Sequence, residues 1–231
     1  TTQYYVAFGL ANLGANEHNH VTMVEEGGLQ PIIALLSSPD EDVHLKAAAA
    51  IRGLSVHPEN QLKVVQEGGL AQLAILTQSK HVEVQREVVA SLCNLSQADE
   101  NKYEISKSGV IRPLIALAQS EDMEVAKQAC GTLANLAQLQ ESQGRISEEG
   151  GLIPIIKVMR SSFKDVQREA GRALANMATI ETNHDAIVSG GGHQMLISYL
   201  LNPDTACQRA GAQGIANLAT NKRYRIKLVK A

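Results

Sequence analysis

Aromatic residues are scarce in this chain of 231 residues, which has no Trp, two Phe and five Tyr. No large aromatic cluster can therefore fill the centre of a globular core. The remaining apolar residues are mostly Ala, Leu, Ile and Val, which are typical of closely packed helices. The chain is long enough for one or two domains with a sizeable core. This composition favours a protein built from packed helices.

Charge of one sign is also in short supply, because 21 Lys and Arg stand against 24 Asp and Glu, for a formal net charge of -3. A general nucleic-acid binder usually carries a basic excess. We therefore expect no nucleic acid among the partners, although a local basic face is compatible with this net charge.

Cysteine is limited to three residues, which form no C-x-x-C pair. Cys130 and Cys207 align with small apolar residues at the repeat spacing described below, so we expect them to be buried packing residues rather than redox or metal groups. The exposure of Cys93 is left open. This cysteine usage indicates a reducing compartment. We predict a cytoplasmic location, and leave open the surface of an organelle and the nucleus.

Long hydrophobic runs are missing, since no apolar segment approaches the ~18–20 residues that a membrane-spanning helix needs. No signal peptide is visible, but the first residue is Thr1 rather than an initiator Met. Native anchors or targeting signals would lie in segments that this chain does not contain. We therefore expect contact with a membrane only through such absent segments.

What the sequence does contain is one segment written six times at a spacing of 41 residues. The segment is an apolar helix that ends near Asn94. Its equivalent positions are Asn12, Gly53, Asn94, Asn135, Asn176 and Asn217. Internal repeats of this length are typical of helical repeat arrays. Each unit is too small to bury its own apolar face, so neighbouring units must stack into one continuous core.

The repeats assign residues 1–231 to a single array. Residues 1–14 match the last helix of a partial repeat, and residues 220–231 match the first helix of a further one. Five complete repeats lie between them, at about 15–55, 56–96, 97–137, 138–178 and 179–219. The chain thus begins and ends inside repeats, which suggests a fragment of a longer array.

Each complete repeat predicts three helices. The first helix is short, and its leading polar register is expected to cap it with side-chain oxygens. That register holds Asn19, Asn60, Asn101, Ser142 and Asn183. The first helix stops at a Gly in every copy, where only Gly adopts a positive φ without steric cost. Those glycines are Gly27, Gly68, Gly109, Gly150 and Gly191.

The second and third helices follow this corner. Pro31, Pro113 and Pro154 share a position near the start of the second helix, where a missing N–H costs least. A polar register then marks the start of the third and longest helix. It consists of Ser38, Ser79, Ser120, Ser161 and Asn202. Acidic residues follow in the first turn, as at Glu83 and Asp165, where they suit the helix dipole.

Together these features resemble armadillo repeats. The resemblance rests on the repeat length, the Gly27-Gly28 type of corner, the following Pro and the closing A-L-A-N-L-A segment, and it covers the whole chain. The segments EEGGLQPIIALLSSPDEDV and ENQLKVVQEGGL resemble the sequences of vacuolar armadillo adaptors and of apicomplexan armadillo-repeats-only proteins. The family implies an all-α, right-handed superhelical solenoid with three helices per repeat. It also implies that the third helices line a concave groove that holds an extended partner segment.

By this resemblance, the groove asparagines are predicted to grip the backbone of a partner, because an amide offers both a donor and an acceptor. We use this name for Asn12, Asn94, Asn135, Asn176 and Asn217. Gly53 stands in place of a sixth, so its repeat should grip weakly or be occupied differently. The alternative is that each Asn caps its own helix end or bonds a neighbouring repeat.

The residues four positions before the groove asparagines bear on the kind of partner. In the importin-α subclass this position holds Trp, whose rings form slots for Lys and Arg. Here it holds Phe8, Ala49, Ala90, Gly131, Arg172 and Gln213. The slots are missing, and Arg172 would repel a basic peptide. A nuclear import receptor for basic peptides is therefore a disfavoured alternative.

Basic residues recur eight positions before the groove asparagines. We call Arg86, Lys127, Arg168 and Arg209 the basic register. Together with Arg172, they could form a track for an acidic or phosphorylated segment. The alternative is a solvated edge whose cations pair with nearby acids. Two such acids, Glu87 and Glu169, lie on the same helix face as the groove asparagines and complete the predicted groove residues.

No catalytic pattern stands out from the repeats. The seven His are scattered, and His18 and His20 have no carboxylate or Cys companion at metal-ligand spacing. Gly190-Gly191-Gly192 falls at a repeated corner, so it does not predict a phosphate loop. We expect no cofactor, no metal and no enzymatic activity. The predicted function is a protein–protein adaptor or scaffold, able to tether organelles or membranes, that holds an extended or helical partner segment. Its oligomeric state is left open.

Overall fold

The part of the chain described by the computed structural model, residues 2–230, contains helices and no strand. Thr1 and Ala231, the end residues of the predicted array, lie outside the described residues. The chain divides into two compact units, with the boundary between Pro113 and Leu114. We call residues 2–113 unit 1 and residues 114–230 unit 2. The all-α class predicted from the sequence is confirmed.

Unit 1 contains eight α-helices within residues 2–113, and a ninth helix crosses its boundary. They are α1 (Thr2–Gly14), α2 (His20–Glu25), α3 (Leu29–Leu35), α4 (Glu41–Leu54), α5 (Pro58–Gln66), α6 (Gly69–Leu76), α7 (Val82–Leu95), α8 (Asp99–Lys107) and the boundary helix α9 (Ile111–Leu117). A short 3-10 turn, Glu17–Asn19, precedes α2.

Unit 2 continues the same order of helices. It contains α10 (Met123–Leu136), α11 (Gln140–Glu148), α12 (Leu152–Val158), α13 (Lys164–Met177), α14 (His184–Ser189), α15 (Gly192–Leu200), α16 (Thr205–Thr220) and α17 (Lys222–Lys230). A 3-10 turn, Glu181–Asn183, precedes α14. The predicted three helices per repeat are therefore present. The exact limits of the array and of its repeats stay a prediction.

The long helices pack on one another within each unit. In unit 1, α4 contacts α1 and α7, and in unit 2, α13 contacts α10 and α16. Their shared leucine position is fully buried at Leu54 and Leu95 in unit 1, and at Leu136 and Leu218 in unit 2. Burial of each Leu stabilises the fold by about 1.5–3 kcal/mol. The repeated apolar position thus builds a core in each unit.

The predicted glycine corners are confirmed. All five glycines have a positive φ, between 76° and 89°, and they are the residues with positive φ within 2–230. A Cβ at Gly150 would meet no atom within 4 Å, so the backbone conformation rather than lack of space selects Gly there. The corner places the second helix of each repeat.

The polar joint before each long helix has one geometry in all five copies. The side-chain oxygen accepts the N–H of the residue two positions later. The pairs are Ser38 with Asp40 (3.2 Å), Ser79 with His81 (3.2 Å), Ser120 with Asp122 (3.1 Å), Ser161 with Phe163 (3.2 Å) and Asn202 with Asp204 (2.9 Å). The register therefore forms a turn, and the N-cap of the long helix is the residue that donates to it.

The predicted capping role of the first-helix asparagines is wrong. Asn60 and Asn101 lie inside α5 and α8, which begin two residues earlier. Their Nδ2 groups donate instead to the carbonyls of Leu54 and Leu95, each at 3.1 Å. Asn183 bonds the carbonyl of Met177 in the same way, at 2.9 Å. The amide thus uses its donor to satisfy the carbonyl end of the preceding long helix, which also lacks partners.

A second polar register supports the same helix ends, and the sequence interpretation missed it. Its members donate from a side-chain nitrogen to the carbonyl six residues earlier. The pairs are His20 with Gly14 (2.8 Å), Gln61 with Ser55 (3.1 Å), Gln143 with Ala137 (2.8 Å) and His184 with Ala178 (2.8 Å). The signal in the sequence was a polar residue that recurs at the repeat spacing, directly after the leading polar register of the first helix.

Candidate functional site

The groove asparagines connect neighbouring long helices. Asn176 on α13 donates its Nδ2 group to the carbonyl of Ala134 on α10, at 2.9 Å. Asn217 on α16 donates to the carbonyl of Ala175 on α13, at 3.0 Å. In both cases the acceptor lies 42 residues earlier in the chain. The predicted alternative, a bond to a neighbouring repeat, is therefore observed at these positions.

Asn94 repeats this arrangement in unit 1. Its Nδ2 group lies 3.3 Å from the carbonyl oxygen of Arg52 and 3.2 Å from the Ser55 hydroxyl. Asn94, Asn176 and Asn217 are all half-buried. Among the groups of residues 2–230, none donates a hydrogen bond to the Oδ1 atom of these three asparagines. Each amide is thus fixed through its nitrogen and keeps an acceptor oxygen.

The remaining groove positions depart from this arrangement. Asn135 is 8% exposed, and its Oδ1 accepts a hydrogen bond from the Arg172 guanidinium at 2.7 Å. Its acceptor is therefore already engaged. Asn12, near the end of α1, is exposed. A Cβ at Gly53 would lie 2.2 Å from the carbonyl oxygen of Gly14, so the close approach of α1 to α4 excludes a sixth asparagine.

Carboxylates engage much of the basic register. Arg168 bonds Asp204 at 2.5 Å and Asp165 at 2.6 Å. Lys127 lies 3.6 Å from a Glu124 oxygen. Arg86 also has interaction partners. Arg209 is exposed and forms no ion pair within the described residues. Arg168 and Lys127 thus match the predicted alternative, a solvated edge of paired charges.

The two predicted groove acids are paired as well. Glu169 binds the Arg172 guanidinium at 2.5 Å, one turn along α13. Glu87 on α7 binds Arg52 on α4 at 2.5 Å. In unit 2, Arg168, Arg172 and Arg209 line a cleft of about 190 Å³ together with Glu169. The cleft combines one unpaired guanidinium with two that already hold acids, so its charge is mixed.

Hydrogen bonds to Asp204 hold its carboxyl group in the charged form. The Arg168 guanidinium, followed by the backbone N–H of Cys207, lowers the pKa of Asp204 to about 2. The same contact raises the pKa of Arg168. Both groups therefore stay charged at neutral pH. At neutral pH this ion pair therefore links α13 to the start of α16.

Cys130 and Cys207 are buried, as predicted, and Cys93 is half-buried. Burial raises the pKa of Cys130 to about 12 and that of Cys207 to about 11. The thiolate is the reactive form of cysteine, so both buried thiols are inert at neutral pH.

The comparison with family models identifies the repeats. The Armadillo/beta-catenin-like repeat matches residues 16–56, 57–97 and 98–138, which is more than half of the chain. The chain belongs to the armadillo-repeat family, as the sequence predicted. The matched repeats begin one residue after the predicted ones. Armadillo repeats form a non-enzymatic scaffold for binding proteins.

Solved structures of engineered proteins are similar to this chain. An engineered protein from the Northeast Structural Genomics Consortium is 32% identical, with a TM-score of 0.89 over 95% of this chain and 91% of that chain. A designed armadillo repeat protein is 24% identical, with a TM-score of 0.86 over 92% and 91%. Another, in complex with the peptide (KR)4, is 24% identical, with a TM-score of 0.83 over 92% and 91%. These likenesses confirm the armadillo fold.

A search of curated protein sequences gave no match. The narrower resemblance to vacuolar armadillo adaptors and apicomplexan armadillo-repeats-only proteins therefore stays a prediction. No helix within residues 2–230 is long and apolar enough to cross a membrane. Over the same residues, no three His, Cys, Asp or Glu side chains come together as a metal site would require.

Proposed function

We propose that the chain is a non-enzymatic adaptor that holds an extended partner segment against the groove asparagines of its long helices. The observation that carries the proposal is the state of Asn176 and Asn217. Each Nδ2 group is fixed on the neighbouring helix, and each Oδ1 atom has no donor among residues 2–230. An amide held in this way is preorganised to accept a backbone N–H from a partner.

The chemistry of the partner is part of the same proposal. A designed armadillo repeat protein is known in complex with the peptide (KR)4. In this chain the half-exposed Arg172 stands at the position that would face a basic side chain. We therefore propose a segment that is not uniformly basic, which disfavours a nuclear import receptor.

A preference for acidic or phosphorylated segments is a second candidate, supported by the exposed Arg209 guanidinium. The pairing of Arg168 and Lys127 with carboxylates weakens it. The cytoplasmic location, with an organelle surface or the nucleus left open, is a proposal that depends on cysteine usage. Tethering of organelles or membranes is likewise a proposal about the complete protein.

A random dodecapeptide library, selected on the chain, tests the adaptor proposal. We expect the selected peptides to bind the double variant Asn176→Ala, Asn217→Ala about tenfold or more weakly, because two backbone hydrogen bonds are lost. Each replacement also removes a bond between helices, which costs about 1 kcal/mol of unfolding free energy. Affinity is measured by fluorescence anisotropy, and stability by urea unfolding.

The matched control is Asn183→Ala. It removes a comparable amide-to-carbonyl bond, to Met177, but lies outside the long helices. We expect Asn183→Ala to lower the free energy of unfolding by about 1 kcal/mol, as each single replacement in the double variant does, with unchanged peptide affinity. Equal loss of affinity in the control and the double variant would refute the groove assignment. Unchanged affinity in the double variant would refute it as well.

A further inference from the structure

The repeat without a groove asparagine contains a pocket instead. Because the Gly14 carbonyl excludes any side chain at Gly53, this position carries no amide. The helices α1 and α4, with the turn after α1, enclose a volume of about 360 Å³. Phe8 and Ala49 supply apolar wall, and Asn12 supplies an amide. Two cations of α4, Lys46 and Arg52, also line the pocket.

These cations are peculiar to this repeat. Lys46 lies seven positions before Gly53, and the equivalent residues are Tyr5, Glu87, Gln128, Glu169 and Ala210. Arg52 lies one position before Gly53, and the equivalent residues are Ala11, Cys93, Ala134, Ala175 and Ala216. Neither register contains another Lys or Arg. Two positive charges therefore accompany the loss of the asparagine.

Both cations keep donors for a ligand. The Lys46 Nζ atom lies 5.5 Å from the centroid of the Phe8 ring, and no carboxylate within residues 2–230 pairs with it. Arg52 donates its Nε–H to Glu87, which orients the guanidinium. In the described part of the chain its Nη groups donate to no acceptor, and the Arg52 side chain is 50% exposed.

We propose that this pocket binds the carboxylate of a Glu or Asp side chain in the partner segment. The inference rests on the proposed function, since it names the chemistry of one residue of that segment. Lys46 already lies over the Phe8 ring, and its positive charge would repel a cation of the partner from that ring. A carboxylate would instead meet an ammonium and a guanidinium, and form charge-assisted hydrogen bonds.

Glu17 limits where the carboxylate can lie. It also lines the pocket, on the turn that follows α1, and its charge would repel an anion. We therefore place the carboxylate on the α4 side, between Lys46 and Arg52. The same reasoning makes Glu17→Gln a variant that strengthens binding of an acidic peptide.

Three decapeptides that differ only in a central Glu, Gln or Lys test this inference. Each is titrated into the nitrogen-15-labelled chain, and amide chemical shifts report both the affinity and the place of binding. We expect the Glu peptide to shift the amides of Phe8, Lys46 and Arg52 and to bind about tenfold more tightly than the Gln peptide. The Lys peptide should bind most weakly.

Two variants sharpen the experiment. Lys46→Gln combined with Arg52→Gln should abolish the preference for Glu over Gln. Lys80→Gln removes an exposed cation of unit 1 that lies in the turn before α7, outside the pocket and the basic register, and it should leave the preference unchanged. A well-dispersed amide spectrum for each variant checks that the fold is intact. Loss of the preference in Lys80→Gln, or its persistence in the Lys46→Gln, Arg52→Gln variant, would overturn the assignment of the pocket.

The outcomes separate this inference from the proposed function. If the Glu and Gln peptides bind equally and shift the amides of Asn176 and Asn217, the pocket assignment fails and the adaptor proposal stands. If no peptide shifts any amide, both fail. A fourth peptide with central phosphoserine distinguishes the source of the anion, because tighter binding than the Glu peptide would overturn the carboxylate assignment.

Discussion

Asp204 makes two kinds of contact at the start of α16. Its Oδ1 atom accepts the N–H groups of Ala206 and Cys207, at 3.0 and 3.1 Å, and so caps the helix. Its Oδ2 atom binds the Arg168 guanidinium on α13. One carboxylate therefore satisfies a helix end and holds the neighbouring helix at the same time.

The pKa of Asp204 is expected at about 2. A carboxyl group whose folded pKa is depressed contributes stability above its unfolded pKa, and that contribution is lost as pH falls through the folded value. The stabilising contact should therefore persist below pH 3.8, the ordinary value for Asp, and disappear near pH 2. Carbon-13 NMR titration of the carboxyl group measures this.

In Arg168→Gln we expect the pKa of Asp204 to rise toward its ordinary value, since its strongest partner is gone. Arg209→Gln is the control, because it removes a cation of the same register that forms no ion pair within residues 2–230. A pKa that does not move in Arg168→Gln would show that backbone N–H groups alone hold the charged form.

At the scale of helices, the corner between the first and second helix of each repeat depends on a glycine with a positive φ. Gly150 has a φ of 76° in open space. A left-handed conformation costs an L-residue about 1–2 kcal/mol. Glycine at this corner therefore permits α12 to follow α11 without strain.

We expect Gly150→Ala to lower the free energy of unfolding by about 1–2 kcal/mol. Gly144 is the matched control, because it lies inside α11 with no atom within 4 Å of an added Cβ. Gly144→Ala should raise the free energy by about 0.5–1 kcal/mol, since Ala favours helix. Urea unfolding measures both variants. A change of the same sign in both would contradict the conformational argument.

The sequence predicted the features that recur at the repeat spacing. It did not predict the features that a side-chain contact between two helices determines. Corners and joints recur every 41 residues, and the structure has them at Gly150 and Ser161. The sequence did not indicate whether the nitrogen or the oxygen of the Asn60 amide forms the hydrogen bond, because that depends on how close the side chain lies to the end of the preceding long helix. The engagement of Asn135 by Arg172 and the pocket beside Gly53 were missed for the same reason, since both depend on side chains from a neighbouring helix.

At the scale of the whole molecule, stability is spread over repeats that each bury similar residues. Stability of such arrays is approximately a sum of repeat terms and nearest-neighbour interfaces. Leu174 on α13 is fully buried in unit 2, and Leu92 on α7 is fully buried in unit 1. Damage to one repeat should therefore be felt most by the helices packed against it.

We expect Leu174→Ala to cost about 2–5 kcal/mol, because it leaves a cavity in a packed core. Amide hydrogen exchange should rise most in α13 and in its packing partners α10 and α16, and less in α1 and α4. Ile153→Ala is the control, since Ile153 is 55% exposed. It should change the free energy by less than about 0.5 kcal/mol. An equal rise of exchange in every helix would indicate a single cooperative unit.

The regular bonding of Asn176 and Asn217 has a consequence for how a partner would be read. Packed helices lie about 8–10 Å apart, and an extended chain advances about 3.3 Å per residue. Successive amides would then meet a bound polypeptide at intervals of about two to three residues. Under the proposed function, the spacing of the helices would fix where along the partner the backbone contacts fall. The side chains of the partner that lie between these contacts would then determine specificity.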